Sequence, residues 1–194
     1  MTGGELHPWM WFAPENSEVL IVGTFPTAER NRAYDFFYPN IANRFWKIMS
    51  RLSGIELQYF AGNDAVNERK NILRQLKVAV TDMGKTVLRH DGSSLDEKLV
   101  PVEYMDILGI VDKNPRITKL LFTSDKAAKW FDRYLSEKNI RHKFPVAKRP
   151  VNSVIEYKNI KLKLAILYSP SPRAASITFE KLVEIYGSYI INQV

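Results

Sequence analysis

Four short runs of Val, Ile and Leu constrain this chain more than any other feature: VLIVG at 19–23, LKVAVTD at 76–82, TKLLFTS at 118–124 and LKLAILY at 162–168. Three of them are apolar almost without interruption. Strands covered on both faces read this way, as in a parallel sheet. Helical spacing fills the gaps. Phe45, Ile48, Met49 and Leu52 recur at i, i+3, i+4, i+7 within 43–52, and 66–75 forms a second, shorter segment. Ala127, Trp130, Phe131 and Tyr134 make one stripe over 125–138, with Ser124 or Asp125 as N-cap, and 174–191 reads as a closing helix. NSVIEY marks a further β element around 151–158. This alternation predicts an α/β fold, a three-layer α/β/α domain around a central, mainly parallel four-stranded sheet. No repeat or linker divides the 194 residues, so one domain is expected over 1–194.

Composition narrows the chemistry. Cysteine is absent, which removes disulfides, a thiolate nucleophile and any Cys-dependent zinc site. His7, His90 and His142 are scattered, so neither a metal site nor a cofactor is expected. No apolar run reaches the roughly 18 residues that span a bilayer. The start MTGGELHPWMWF lacks a basic region and a clean apolar core, so an intracellular, soluble protein without membrane contact is expected. Lys and Arg number 28 against 21 Asp and Glu, a balance of +7 that suits a phosphate-rich partner.

Ligands of open parallel sheets bind beyond the carboxyl ends of the strands, so the residues following each run carry the weight. Gly23-Thr24-Phe25-Pro26 is neither a Walker loop nor a dinucleotide fingerprint. By itself it is equally a tight turn, Gly supplying backbone freedom and Pro fixing the exit. YDFFYPNIANRFW at 34–46 offers rings for base stacking, or a hydrophobic plug leading into a helix. Within it, Asn40 and Asn43 are amides at a helix mouth, where Asn43 also suits an N-cap. Asp82 ends a strand, with its carboxylate expected in the crevice. Lys85 and Arg89 would neutralise it or contact phosphate, unless the segment is a solvated loop with structural ion pairs. In YSPSPRAAS at 168–176 each Pro holds the residue before it extended, presenting Ser hydroxyls on a stiff ridge beside Arg173. The same ridge also serves as a plain loop before a helix.

Taken in order, these segments resemble the uracil-DNA glycosylase superfamily. Gly-Thr-Phe-Pro at a strand end is followed by Pro39 and by Asn43-Arg44-Phe45-Trp46. VAVTDMGKTVLRHDGSSLDEKL, with Asp82, Arg89 and Gly92-Ser93-Ser94-Leu95-Asp96, is similar to the middle of the hypoxanthine-DNA glycosylase-like branch. LLFTSDKAAKWF and YSPSPRAAS resemble its later units, so the likeness runs over roughly 18–180. Two departures stand out. Arg173 and Ala174 occupy places where that branch commonly has a small residue and Asn, and two asparagines compete for the catalytic match, of which Asn43 directly precedes Arg-Phe-Trp.

The resemblance implies a metal-independent, monofunctional DNA glycosylase that flips a deaminated base (uracil, hypoxanthine or xanthine) and hydrolyses its N-glycosidic bond. Asn43 and Thr24 would be catalytic. Gly23, Phe25, Pro26, Tyr34, Phe37 and Asp82 would surround the base, with Ser169, Ser171, Pro172 and Arg173 on the DNA backbone. The partner would be damaged DNA, met by a monomer in the cytoplasm, at the nucleoid during repair. The iron–sulfur cluster of some branches is excluded by the lack of cysteine. Two alternatives remain: a non-catalytic nucleic-acid-binding protein of the same fold, and a nucleoside- or nucleotide-processing α/β enzyme.

Overall fold

A computed structural model describes residues 4–93, 95–173 and 177–191, Asp96 by its backbone alone. Two short strands come first, β1 (Glu5–Leu6) and β2 (Trp11–Phe12), and then β3 (Val19–Gly23). Helices α1 (Phe45–Ser53) and α2 (Gly62–Leu76) lead to β4 (Val78–Asp82), which runs on into β5 (Gly84–Arg89). Next are β6 (Leu99–Tyr104), α3 (Ile107–Lys113), β7 (Lys119–Phe122) and α4 (Asp125–Glu137). β8 (Val151–Tyr157), β9 (Ile160–Ile166) and α5 (Phe179–Ile190) complete the order.

The main sheet has the order β2-β4-β3-β7-β9-β8. The four expected strands are its parallel centre, with Gly23 beside Asp82 and Val22 beside Phe122. The sheet itself has six strands, a correction to the expected four. β2 and β8 pair antiparallel along the two flanks, and β8 is the element expected around 151–158. A second, three-stranded antiparallel sheet, β1-β5-β6, takes up part of the 81–99 stretch, for which a solvated loop is one of the two readings. Pro101 lies in its edge strand β6, where a missing N–H is tolerated.

Side-chain alternation along the parallel strands divides the core in two. Val19, Ile21, Val78 and Val80 face Ile48 and Met49 of α1, Ile72 and Leu73 of α2, and Leu182 and Tyr186 of α5. Leu20, Val22, Ala79 and Phe122 pack on the other side with Leu108 and Val111 of α3 and Phe131 and Leu135 of α4. Both faces are therefore covered, which is why the strands are continuously apolar. α3 is hard to read in the sequence because its seven residues make just under two turns, a short window for a helical period to stand out. The closing helix begins at Phe179 rather than at 174, where residues 174–176 lie outside the described part.

Candidate active site

The chain leaves β3 toward β4 on one side and later returns as β7 on the other. This switch point opens a crevice at the carboxyl ends of the strands. A cavity of about 540 Å³ fills it. Gly23, Thr24, Phe25 and Pro26 form its floor, continued by Asp82 from β4 and Thr123 and Ser124 after β7. Asn43, at the mouth of α1, and Ser169, Ser171, Pro172 and Arg173 form the opposing wall.

Asp82 is buried, 7% exposed, and its partner is His7. The pairing follows from the way the N-terminal strands run. β1 pairs with β5 and β2 with β4, so residues 5–12 cross the joint between those consecutive strands. His7 Nδ1 accepts hydrogen bonds from the backbone N–H of Trp9 (3.1 Å) and Met10 (2.9 Å). That leaves Nε2 as the protonated nitrogen, donating to Asp82 Oδ2 at 2.9 Å. A Cβ on Gly23 would collide with Asp82 Oδ1. Gly23 is thus required for the close approach of a carboxylate rather than for a turn. The expected neutralisation of Asp82 by Lys85 or Arg89 does not occur. Lys85 pairs with Glu103 at 3.0 Å. Arg89 pairs with Glu5 (2.7 Å), donates to the carbonyls of Pro26 (2.7 Å) and Ser93 (2.8 Å), and lies over the Phe25 ring at 5.6 Å. Its role is to brace the Phe25–Pro26 turn from behind.

Two hydroxyl contacts close the floor. Thr24 Oγ1 lies 2.7 Å from Ser124 Oγ, which also caps α4 by accepting from Ala127 N–H. Tyr38 Oη lies 3.2 Å from Thr123 Oγ1, and its ring stacks on Phe45 at 3.8 Å. Tyr38 has φ of 50°, a left-handed backbone that is costly for an aromatic residue. The conformation is held by Tyr34 Oη donating to the Tyr38 carbonyl at 2.9 Å and by Trp46 Nε1 donating to that of Phe37 at 2.9 Å.

Asn43 stands one residue ahead of Arg44, the N-cap of α1, and lines the cavity. Its Oδ1 accepts from Phe45 N–H at 2.9 Å, fixing the amide at the start of α1, so Nδ2 is the group it offers to the cavity wall. Asn40 shares the wall and uses its own Oδ1 on Ala42 N–H at 2.9 Å. The next residue, Arg44, ties helix to loop. Its guanidinium donates to the carbonyls of Ser171 (3.1 Å) and Ile177 (3.0 Å), and its backbone N–H donates to that of Pro170 (3.0 Å).

With this geometry in view, known proteins supply a match. A hypoxanthine DNA glycosylase from Methanosarcina acetivorans is 29% identical over 117 residues, 60% of this chain and 69% of that protein. The chain is similar to the uracil-DNA glycosylase superfamily, on its hypoxanthine-DNA glycosylase-like side. A solution NMR structure of a protein proposed as a uracil DNA glycosylase, from the same organism, matches with a TM-score of 0.59 at 18% identity. It covers 91% of this chain and 92% of that one, a likeness of fold. No family model matches the chain.

The structure brings together ten of the residues that the superfamily resemblance singles out: Gly23, Thr24, Phe25, Pro26, Asn43, Asp82, Ser169, Ser171, Pro172 and Arg173 all line the one cavity. It does not bring Tyr34 and Phe37 there. Phe37 is 1% exposed and sits behind the wall against Trp9 and Phe36, while Tyr34 packs under the Arg69 guanidinium at 4.9 Å. Burial pushes the Tyr34 phenol above its ordinary range, with Arg69 partly opposing the shift. Tyr38 is the ring of that segment that reaches the cavity. His7 and Tyr38 are the residues that sequence reasoning missed. Leu95 and Glu97 line the cavity from the 90–98 stretch, while Ser94, Ala174 and the side chain of Asp96 lie outside the described part. No described helix is long and apolar enough to cross a membrane.

Proposed function

We propose that this protein is a DNA glycosylase that receives a flipped, deaminated base in the cavity and hydrolyses its N-glycosidic bond without a metal. The observation that carries the reading is the convergence of Asn43, Thr24, Phe25, Asp82 and the Ser-Pro loop on one crevice at the sheet's switch point. The similarity to a hypoxanthine DNA glycosylase supports it.

The base stacks on Phe25, whose ring is backed by Arg89. Asp82, with His7 donating to Oδ2, acts as an acceptor for the ring N–H that uracil, hypoxanthine and xanthine all carry. Its carboxylate has no donor for the oxo group beside that N–H. In the reaction water adds at the sugar C1′ through an oxocarbenium-like state, the bonding pair leaves with the base, and the proton the water loses ends on that base. Asn43 Nδ2 donates to the negative charge building on that base, its direction set by the Phe45 N–H on Oδ1. The Thr24 hydroxyl, held by Ser124, is a second polar group beside it. Ser169, Ser171 and Arg173 receive the DNA backbone.

Single-turnover cleavage of oligonucleotides carrying uracil, hypoxanthine or xanthine, single-stranded and paired, tests this once alkali has nicked the abasic product. Asn43→Ala is expected to cut the rate by about 10²–10³. No cleavage of any substrate by folded wild type overturns the glycosylase reading. Asp82→Asn adds a donor and is expected to shift preference toward uracil. An unchanged preference removes Asp82 from base selection.

A further inference from the structure

One segment that reaches the cavity end of the molecule is not used by the site, the loop 139–150 that returns from the far end of α4 to the start of β8. Its tip is Pro145-Val146-Ala147. Val146 is the most exposed apolar side chain described, fully open to solvent. Along the same loop lie Arg141, Lys143 and Lys148, all exposed and without an ion pair among the described residues. An apolar tip set among free cations is a poor match to water and a good match to a polyanion with an apolar interior, which is what a stacked duplex presents.

The loop is fastened at both feet. On the entering side Asp132 takes the His142 Nδ1 at 2.6 Å and accepts from Phe144 N–H at 3.3 Å, while His142 Nε2 contacts Ser153 Oγ of β8 at 2.8 Å. Asp, His and Ser in this order suit nucleophilic catalysis elsewhere. Here the buried imidazole joins α4 to β8 and holds the loop between them. Phe144 is buried beside Phe122, the last residue of β7, with ring centroids 5.5 Å apart. On the leaving side Arg149 pairs with Asp125 and lies over the Tyr168 ring at 6.0 Å. Asp125 directly follows Ser124, and Tyr168 directly precedes Ser169, both of them cavity residues. The exposed tip is therefore carried on a braced stem at the cavity's own end of the sheet. Val146 is three residues from Arg149, a span of at most about 10 Å, or about three base-pair steps.

We infer that the loop around Val146 is a second DNA contact, packing Val146 as an apolar wedge against the duplex flanking the flipped nucleotide while Lys143 and Lys148 meet phosphates. This rests on the DNA-glycosylase reading for its partner and goes beyond it in assigning a surface and a preference for duplex. None of these three residues belongs to the cavity, so their loss leaves the bond-breaking machinery intact.

Fluorescence anisotropy with a duplex bearing a stable abasic-site analogue, and with the matching single strand, tests the proposal across a salt series. Val146→Ala is expected to weaken duplex binding about tenfold and leave single-strand binding unchanged. The double variant Lys143→Ala/Lys148→Ala is expected to lower the slope of log affinity against log salt by about 1.8 on duplex alone. Wild-type affinity and slope in both variants would overturn the assignment, as would equal weakening on duplex and single strand. Cleavage of a deaminated base in single strand and duplex, run alongside, separates the two readings. Absence of cleavage in wild type on single strand and duplex alike removes the glycosylase and leaves the duplex contact to the binding series. Persistence of cleavage in the variants, with duplex binding unchanged, removes the contact alone.

Discussion

At the floor of the cavity Asp82, His7 and Gly23 interlock almost without exposure, whereas at the rim Pro172 and Arg173 stand in solvent. The floor is a closed hydrogen-bond network. His7 has both ring nitrogens engaged, and the space over Gly23 is filled by the carboxylate of a neighbouring strand. The rim is a loop whose positive charge is attached to little else. On the proposed function the contrast separates two tasks. Discrimination between bases needs donors and acceptors that do not move, and burial strengthens them. Holding a phosphodiester needs charge near the surface, where each contact is weak, screened and replaceable.

The contrast breaks most visibly at Gly23. Gly23→Ala places a methyl group where Asp82 Oδ1 lies, so the carboxylate must move. Single-turnover excision is expected to fall by about 10²–10³, the scale for losing one preorganised contact. A wild-type rate would show that the position of Asp82 is not read by the substrate. The next largest effect is on stability. His7→Ala leaves Asp82 buried without its donor, and urea unfolding should show a loss of about 1.5–3 kcal/mol. His7→Ala/Asp82→Ala should be more stable than the sum of the two single variants, and strict additivity would refute the coupling. Arg44→Lys keeps the charge but cannot match the planar fork on two carbonyls. About 1–2 kcal/mol of stability should go, with slower excision, and a thermal melt identical to wild type would deny the tie between helix and loop. Arg173→Ala is expected to be the mildest. The melting temperature stays unchanged and the salt slope of DNA binding falls by about 0.9. A stability loss there would mean that the rim carries structure after all.

What was legible in the sequence was what is local. The apolar run 19–23 is β3 residue for residue, and Ser124 caps α4 as its place before Ala127 suggests. Asp82 was placed at a strand end because VAVTD is covered on both faces and needs no partner to be recognised. β5 and β6 were not legible. Both are half-exposed and carry charged residues, and a two-residue strand from the far N-terminus completes their sheet. His7 was hidden for the same reason: 75 residues separate it from Asp82, and nothing around it marks a ligand. The aromatic run at 34–38 announced rings without saying which one faces inward. That is decided by the left-handed backbone at Tyr38, which turns this ring to the cavity while Phe36 and Phe37 pack behind it.

Arg44 has a wider consequence. It follows Asn43 in the chain and holds the carbonyls of Ser171 and Ile177, with its own N–H on Pro170. On the proposed function, the amide offered to the base and the Ser-Pro segment offered to the phosphates are thus fastened to each other through Arg44. On that reading an entering strand would be measured along its backbone, and only a nucleotide drawn out to the set gap would bring its sugar under Asn43. A stretched or compressed backbone would be clasped and yet left uncut.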